Sequence, residues 1–275
     1  MEISKLRFLR SLLIPIIKQF GSDIKIRHHW VRDAIVNLHS FRHKGYWFYG
    51  KKRELKTMHL FEKLIKSGDK VVEVGGHIGY ISIFFSKLVG ASGSVIVFEP
   101  GTNNLAYIKK NIRSDKFENV RLLELAVGGD SKGTVTFYED DLTGQNNSLV
   151  KDFEGLKNNQ KNSYVDLKVE AKKVTVTTLD LELSGAMVDF VKIDIEGGEW
   201  PAIFGGKNII NNNLPALMVE IQANRLEIFN FFGQNNYVGF NEDRMIIDSY
   251  TKLNGNIFWL HKRKHKSLLD NLGLS

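Results

Sequence analysis

Four charged residues stand close together at the end of a largely apolar segment, residues 188–193, which has the pattern of a buried strand. They are Lys192, Asp194, Glu196 and Glu199. Ligands of open α/β sheets bind at the carboxyl ends of the strands, and charges buried there require a partner, a metal ion or a reaction. Asp194, Glu196 and Glu199 are therefore candidate proton acceptors, and Lys192 is placed to keep Asp194 ionised.

Two other roles stay open for these carboxylates. Acidic residues also gather in the first turn of a helix, where the helix dipole stabilises them. Alternatively, Glu220, near the end of the predicted strand 216–221, could share a divalent cation with Asp194, since hard cations favour clustered carboxylates. The spacing fixes no histidine or third ligand, so the sequence predicts no metal site.

A glycine-rich turn follows a second strand-like segment, residues 70–74. Gly75 and Gly79 precede a predicted helix, and glycines allow a backbone to approach a ligand closely while the helix N-terminus offers unpaired N–H groups. A dinucleotide-binding fingerprint would require glycine at position 74, which is a valine. The acidic residue Glu73 suits a cationic ligand, such as a sulfonium with an amino-acid tail, better than a pyrophosphate.

Glu99 ends the next strand-like segment, residues 94–98, and is followed by Pro100. A carboxylate at this position can accept hydrogen bonds from both hydroxyls of a ribose. Strand, glycine loop, helix, strand and acid follow one another here in that order. This succession predicts a binding site for a ligand that contains a nucleoside.

The composition is that of an ordinary globular protein, with 43% hydrophobic and 25% charged residues. The absence of cysteine excludes disulfides, thiolate nucleophiles and cysteine metal ligands, and a cytoplasmic location is expected. The net charge of +7 is concentrated in groups such as Lys51-Lys52-Arg53 and residues 261–266. These groups predict either a solvated basic surface or affinity for anionic lipid or an anionic substrate. No recognition motif for nucleic acid is present, and no such partner is expected.

Residues 1–52 are predicted to form an N-terminal extension that is helical and rich in aromatic residues. Apolar residues recur at helical spacing over residues 5–20, although Pro15 would interrupt the helix. Because this segment also carries four basic residues, it either packs on the core or makes a peripheral membrane contact. The pattern assigns no structure to residues 21–50.

Residues 53–275 are predicted to form one α/β domain, because strands and helices alternate from residue 70 onward. Residues 129–180 break the alternation, and the strand-like segments 134–138 and 164–178 predict an inserted hairpin or flap. The predicted strands of the main sheet are 70–74, 94–98, 120–125, 188–193, 216–221, 237–240 and 257–261, the last two as an antiparallel pair. The expected fold is a Rossmann-like, doubly wound, mostly parallel sheet of about seven strands.

Several motifs occur together in a characteristic order. They are Glu73 to Ser82, Phe98-Glu99-Pro100, Asn146-Asn147-Ser148-Leu149, Thr178-Leu179-Asp180, Val191 to Glu199 and Met218 to Ile221. In this order they resemble the FkbM-type methyltransferases, over about residues 50–222. The resemblance implies a class I methyltransferase fold, S-adenosylmethionine as cofactor, and a hydroxyl acceptor on a sugar, glycolipid or secondary metabolite.

The resemblance also implies a set of cofactor-binding residues: Glu73, Gly75, His77, Gly79, Glu99, Pro100, Glu124 and Ala126. Glu73, Gly75 and Gly79 would surround the methionine end of the cofactor, Glu99 its ribose, and residues 124–126 its adenine. The sequence departs from the family at Gly76-His77, where Ala-Asn is usual, and His77 is a further candidate proton acceptor. Two other functions stay open: a nicotinamide-dependent oxidoreductase, and a membrane-associated binding protein without catalysis. The oligomeric state is not predicted.

Overall fold

The computed structural model of the protein describes residues 17, 19–113, 117–130, 132–140, 147–149 and 169–274. Within them the strands are β1 (Asp23–Arg27), β2 (Ile35–His39), β3 (Lys70–Val74), β4 (Ser94–Phe98), β5 (Val120–Leu123), β6 (Ala126–Val127), β7 (Gly133–Asp140), β8 (Val169–Thr177), β9 (Phe190–Ile193), β10 (Ala216–Ile221), β11 (Tyr237–Asn241) and β12 (Gly255–His261). The helices are α1 (Lys44–Tyr49), α2 (Leu55–Leu64), α3 (Tyr80–Val89), α4 (Thr102–Ile112), α5 (Leu179–Glu182), α6 (Glu199–Phe204), α7 (Lys207–Asn213), α8 (Arg225–Gln234) and α9 (Lys266–Leu272), with 3₁₀ turns at Gly50–Lys52 and Tyr250–Lys252.

Seven strands form the central sheet, in the order β11-β12-β10-β9-β3-β4-β5. The five strands from β10 to β5 are parallel, and β12 and β11 close the sheet as an antiparallel pair. The strand order runs outward from β3 in both directions, as in a doubly wound sheet. The predicted mostly parallel sheet is therefore confirmed, and each of its strands lies within two residues of its expected ends.

Both faces of this sheet are buried, which explains why its strands are apolar at almost every position. In β3, Val71 belongs to the core cluster that includes Phe85 of α3, whereas Val72 belongs to the opposite cluster with Ile203 of α6. Helices α2, α3, α4 and α9 contribute to the first cluster, and α5 to α8 to the second. The carboxyl ends of the strands are left as the edge where a ligand can bind.

The N-terminal region adds a hairpin and a short helix to one face. β1 and β2 pair antiparallel, and α1 follows them. Val36, Leu38 and Tyr46 are buried in the same core cluster as Phe85. The side chains of this region therefore pack against the helical layer on that face of the sheet.

The predicted amphipathic helix of residues 5–20 lies outside the described residues except for Ile17, Gln19 and Phe20. The membrane contact expected of this segment stays a prediction. In the part of the chain that the structure describes, no helix has both the length and the apolar character needed to cross a membrane.

The interruption expected at residues 129–180 is a small second sheet, which confirms the inserted hairpin. β7 and β8 pair antiparallel along nearly their whole length, and β6 pairs with β8 in parallel. Residues 141–146 and 150–168, including most of the predicted loop, lie outside the described residues. Between them the chain returns to β7, where Ser148 bridges Tyr138.

Candidate active site

A cleft of about 240 Å³ opens at the carboxyl ends of β3, β4, β9 and β10. The N-terminal region and the flap provide two further walls. The predicted site residues that line the cleft are Glu73, Gly75, His77, Glu99, Pro100, Ala126, Lys192, Asp194 and Glu196, together with Glu220. The tertiary structure therefore brings the acidic segment, the glycine loop and the strand-end carboxylate to one place.

Lys192 is buried at the centre of the acidic residues. The register of β3 and β9 sets Lys192 beside Glu73, so the sheet itself holds the amine among carboxylates. Its Nζ lies 2.9 Å from Oδ2 of Asp194 and 3.7 Å from Oε1 of Glu73, and it donates a hydrogen bond to the carbonyl oxygen of Gly75 at 3.3 Å. Glu73 is 1% exposed, whereas 35% of the Asp194 side chain is exposed. Asp194 is thus the ion-pair partner that faces the cleft.

Asp194 and Glu220 form a pair of carboxyl groups whose pKa values are shifted in opposite directions. Burial by itself would raise the pKa of Asp194, but the charge of Lys192 and the hydrogen bonds from Glu220 and Lys192 hold it well below its usual range. The charge of Asp194, their shared hydrogen bond and burial together raise the pKa of Glu220 far above its usual range. Two carboxyl groups in contact resist double ionisation. At neutral pH Asp194 is therefore the anion and Glu220 carries the proton.

The other two acidic residues of the segment differ in access to the cleft. Glu196 lines it and accepts a hydrogen bond from the side-chain amide of Gln222; burial and the charge of Asp194 raise the pKa of Glu196 to about 8. Glu199 is fully buried in the first turn of α6, where it accepts a hydrogen bond from the N–H of Gly197 at 2.8 Å. Burial raises the pKa of Glu199 to about 7. Of the four predicted proton acceptors, Asp194, Glu196 and His77 line the cleft and Glu199 lies behind it.

The loop after β3 is shaped by its contact with the end of β9. Gly75 has a φ of +91°, and a Cβ atom there would collide with the backbone carbonyl of Asp194. The glycine is therefore required for two loops to pass each other, in addition to any approach of a ligand. His77 adopts a φ of +48°, which is uncommon for a residue with a side chain. Gly79 lies outside the cleft, at the start of α3 beside α4.

Glu99 directly follows β4 and is 4% exposed. One carboxylate oxygen accepts the N–H of His77 at 2.7 Å, and the other accepts the N–H of Gly101 at 2.8 Å and the side-chain amide of Asn104 at 3.2 Å. Burial raises the pKa of Glu99 to about 7 despite these three donors. Because a carboxylate has about four acceptor positions, Glu99 retains capacity for a hydroxyl donor from the cleft.

The family model of the methyltransferase FkbM domain matches residues 73–250, which is more than half of the chain. The chain belongs to the FkbM methyltransferase family. The match begins at Glu73, near the end of β3, and extends beyond β10, so it contains the carboxyl end of each strand that ends at the cleft. The expected family is confirmed, and the nicotinamide-dependent alternative is set aside.

Solved structures resemble this FkbM methyltransferase at low sequence identity. Methyltransferase FkbM from Methylobacillus flagellatus KT is 14% identical, with 74% of this chain and 50% of that chain covered and a TM-score of 0.46. A SAM-dependent methyltransferase from Aquifex aeolicus is 12% identical, with 77% and 93% covered and a TM-score of 0.38. The O-methyltransferase from Bacillus cereus in complex with SAH is 14% identical, with 76% and 81% covered and a TM-score of 0.40. This chain spans about half the length of the Methylobacillus protein. The search of curated proteins found no match to this chain.

S-adenosylmethionine is the expected cofactor of this FkbM methyltransferase, and the cleft fits it. Among the described residues that line the cleft, carboxyl groups outnumber basic side chains, which suits a ligand with a sulfonium and an ammonium group. Oε1 of Glu73 is buried there without a hydrogen bond. The residues that would hold the cofactor are Glu73 and Gly75 at its methionine end, Glu99 at its ribose, and Leu125, Ala126 and Phe137 at its adenine. No group of three or more histidine or acidic side chains in the described residues has the arrangement of a metal site.

Glu124 requires a correction, since it lies outside the cleft. Its carboxylate pairs with Nζ of Lys109 at 2.7 Å, and 51% of its side chain is exposed. β5 ends at Leu123, two residues before the expected end of the strand. The chain therefore turns earlier than predicted, which leaves Glu124 on the surface and places Leu125 and Ala126 against the cleft.

Sequence reasoning missed the residues that line the cleft from outside the alternating strands and helices. Tyr46, Arg53 and Glu54 come from the N-terminal region. From the flap, Ser148 lines the cleft and donates a hydrogen bond to the carbonyl oxygen of Glu196 at 2.6 Å. The Asn-Asn-Ser-Leu motif was a signal for the flap residues and the basic group Lys51-Lys52-Arg53 was one for Arg53, whereas no motif singled out Tyr46 or Glu54.

Proposed function

We propose that this FkbM methyltransferase transfers a methyl group to a hydroxyl oxygen of a sugar, glycolipid or secondary metabolite. The observation that supports this reaction is the pair Asp194 and Glu196, whose pKa values are moved in opposite directions at one edge of the cleft. One carboxylate is a stable anion, and the other exchanges its proton near neutral pH. A hydroxyl acceptor needs both properties because it must be oriented and must lose its proton.

The chemistry balances with one proton released. Bound S-adenosylmethionine supplies an electrophilic methyl group, whose carbon–sulfur bond breaks as the hydroxyl oxygen bonds to the carbon, giving a methyl ether, S-adenosylhomocysteine and a proton. Because the step neutralises charge, the protein contributes chiefly by orienting the acceptor, excluding water and removing the proton.

Each residue of the acidic segment then has a distinct task. Asp194 accepts the hydrogen bond of the acceptor hydroxyl, and Lys192 keeps Asp194 ionised. An anion stabilised in this way is a weak base, whereas a general base is most effective when its pKa lies near the working pH. Glu196, with a pKa of about 8, is therefore the group that receives the proton.

The variant Asp194→Asn tests the first of these tasks. It should lower turnover about 10²- to 10⁴-fold, since the acceptor loses its anionic partner, while calorimetry should show S-adenosylhomocysteine bound nearly as in the wild type. Asp248→Asn is the matched control, because Asp248 is an exposed residue that pairs with Lys252 on the surface. Near-normal turnover of Asp194→Asn would remove Asp194 from the acceptor side.

The variant Glu196→Gln tests the second task through its pH profile. Wild-type turnover should rise with pH and level off above about pH 8, because Glu196 must be ionised to receive a proton. The variant should be slow and lack this rise. If turnover of the variant still rises with pH, the titrating group is a residue other than Glu196.

The acceptor itself can be found with fractionated glycan and lipid extracts. S-adenosylhomocysteine release would report activity, and a ¹³C-labelled methyl group would report by NMR the atom that receives it. We expect the label in a methyl ether. A label on nitrogen or carbon would overturn the proposed O-methylation while leaving the methyltransferase family unchanged.

A further inference from the structure

The N-terminal region reaches the cleft from outside the part of the chain that matches the family. Tyr46 of α1 and Arg53 line the cleft, whereas the family match begins at Glu73. The wall that these residues form therefore lies before the segment that the family model matches. Such a wall is where recognition of a particular acceptor is expected.

The Arg53 guanidinium is held in a defined plane. It lies over the ring of Tyr46 at 4.2 Å from the ring centroid, and its Nε is 3.1 Å from Oε1 of Glu54. Gly45 leaves space for it, because a Cβ atom at Gly45 would collide with Nη1 of Arg53. A planar guanidinium that is stacked on an aromatic ring loses little further freedom when it binds a ligand.

Tyr46 connects this arginine to the cofactor loop. Its hydroxyl hydrogen-bonds Nδ1 of His77 at 2.9 Å, and the backbone N–H of His77 donates to Glu99. Tyr46 is 5% exposed and belongs to the core. The ring is thus a rigid platform whose position is set relative to the predicted ribose-binding carboxylate.

The two basic side chains that line the cleft, Lys192 and Arg53, differ in whether they can bind an anion from the cleft. The Lys192 amine is committed to Asp194, Glu73 and a backbone carbonyl. Among the described residues lining the cleft, Arg53 is the other lysine or arginine, and 24% of its side chain is exposed. Arg53 and Asp194 both line the cleft, so the two groups face a common space.

Arginine offers five N–H donors, and its Nε is directed to Glu54. Its terminal N–H groups match two oxygens of a carboxylate or a phosphate in a bidentate arrangement. The basic residues Lys51 and Lys52 immediately precede Arg53 and are exposed, which adds attraction for an anion near this wall.

We propose that Arg53 binds an anionic substituent of the acceptor, a carboxylate or a phosphate, and that Tyr46 is the positioning residue that holds the guanidinium. The acceptor is then an acidic or phosphorylated sugar unit rather than a neutral one. This inference rests on the proposed function, because a hydroxyl on the same sugar is what Arg53 would orient toward Asp194.

The experiment compares three probes, glucuronate, glucose 6-phosphate and glucose, by ligand-observed NMR titration of the protein saturated with S-adenosylhomocysteine. Glucuronate or glucose 6-phosphate should bind about 10- to 100-fold more tightly than glucose, which corresponds to charge-assisted hydrogen bonds. The stronger of the two identifies the carboxylate or the phosphate as the recognised group. Arg53→Gln should abolish the difference, Arg53→Lys should retain part of it, and Lys63→Gln, an exposed control on α2 that does not line the cleft, should leave it unchanged.

Two substitutions of Tyr46 test whether its ring positions the Arg53 guanidinium. Tyr46→Leu should reduce the preference for the anionic probe, and Tyr46→Phe, which retains the ring, should restore it. Arg53→Lys and Tyr46→Phe keep the comparison valid if Arg53→Gln or Tyr46→Leu fails to fold, which thermal unfolding would report.

The inference is overturned if the wild type binds all three probes alike or binds none, or if Arg53→Gln weakens glucose and the anions equally. Methylation of a neutral hydroxyl acceptor at equal rates by the wild type and Arg53→Gln would also overturn it while supporting the proposed function. If Arg53 binds the anion but the methyl group is not transferred to oxygen, the inference about Arg53 stands and the proposed function is overturned.

Discussion

Two carboxylates, at the ends of the strands on either side of β3, have their pKa values shifted in opposite directions. Glu99, after β4, is surrounded by neutral donors from two backbone N–H groups and one amide, and burial raises its pKa to about 7. Asp194, after β9, lies 2.9 Å from the Lys192 amine, and that charge helps to hold its pKa well below the usual range although burial opposes it. The two strands flank β3 on opposite sides.

The comparison shows that the partner, and not burial by itself, decides the protonation of a strand-end carboxylate in this protein. Neutral donors stabilise an ion less than a full opposite charge does, and 35% of the Asp194 side chain is exposed whereas Glu99 is 4% exposed. The proposed cofactor side of the cleft therefore has a carboxyl with a pKa of about 7, and the proposed acceptor side has one that is ionised at neutral pH. The variants below test this difference, starting with the largest expected effect.

Removal of the buried Lys192 amine should cause the largest loss in the free energy of unfolding. Lys192→Met would leave Asp194 and Glu73 without their charge partner, and breaking a buried ion pair costs about 3–5 kcal/mol in the free energy of unfolding. Urea denaturation would measure the loss. The double variant Lys192→Met/Asp194→Asn should recover part of it, since one of the two stranded charges is then absent. A loss below about 1 kcal/mol in the single variant would show that Lys192 does not set the charge of Asp194.

On the cofactor side, Glu99→Ala should weaken binding of S-adenosylhomocysteine about 10- to 100-fold, the value of one charged hydrogen bond. Isothermal calorimetry would measure it. Glu99→Gln retains the shape and one acceptor oxygen, so its effect should be smaller. Unchanged affinity in both variants would exclude Glu99 from the ribose site.

The opposite pKa shifts also predict opposite pH dependence of stability. The pKa of Glu99 is raised from 4.5 to about 7, so the folded protein retains a proton between these values that the unfolded chain has lost. The stabilisation that Glu99 provides is therefore complete below pH 4.5 and disappears as the pH rises toward 7, by at most about 1.4 kcal/mol per pH unit.

The stability of Glu99→Gln relative to the wild type should accordingly improve between pH 5 and pH 7 and then stay level. Asp194, whose pKa is lowered from 3.8, provides stabilisation that is lost only as the pH falls below that value. The difference between Asp194→Asn and the wild type should therefore change below pH 4, where Glu99→Gln is flat, and any change between pH 5 and pH 8 should come from Glu196 and Glu220, whose raised pKa values depend on the charge of Asp194. Urea denaturation at several pH values would measure both differences, and parallel curves for the two variants would contradict the comparison.

The smallest effect is expected for Glu124→Gln. Glu124 pairs with Lys109 on the surface, and exposed ion pairs contribute about 0–1 kcal/mol. Stability should change within this range, and the affinity for S-adenosylhomocysteine should equal that of the wild type by calorimetry. A weakened affinity would return Glu124 to the adenine site.

The strands of the main sheet could be predicted closely from the sequence. β3 and β10 occupy the predicted residues, because a strand that is buried on both faces is an apolar run with polar residues on either side. The end of β5 was harder to place, since Leu125 is as apolar as the strand before it. The error of two residues was enough to assign Glu124 to the wrong side of the turn.

Residue types and order by themselves determined the family, the sheet, and the acidic and glycine-rich segments, because these depend on local periodicity and on motifs along the chain. The pairing of Lys192 with Asp194 was also expected from their spacing, whereas the tertiary structure decided that Glu73 joins this pair, since Lys192 meets Glu73 only through the register of β3 and β9. It also decided that Tyr46 and Arg53 line the cleft, because their position follows from packing against a core formed by residues far away in the chain. Charge and access depend on distances between segments, and no local pattern in the chain encodes those distances.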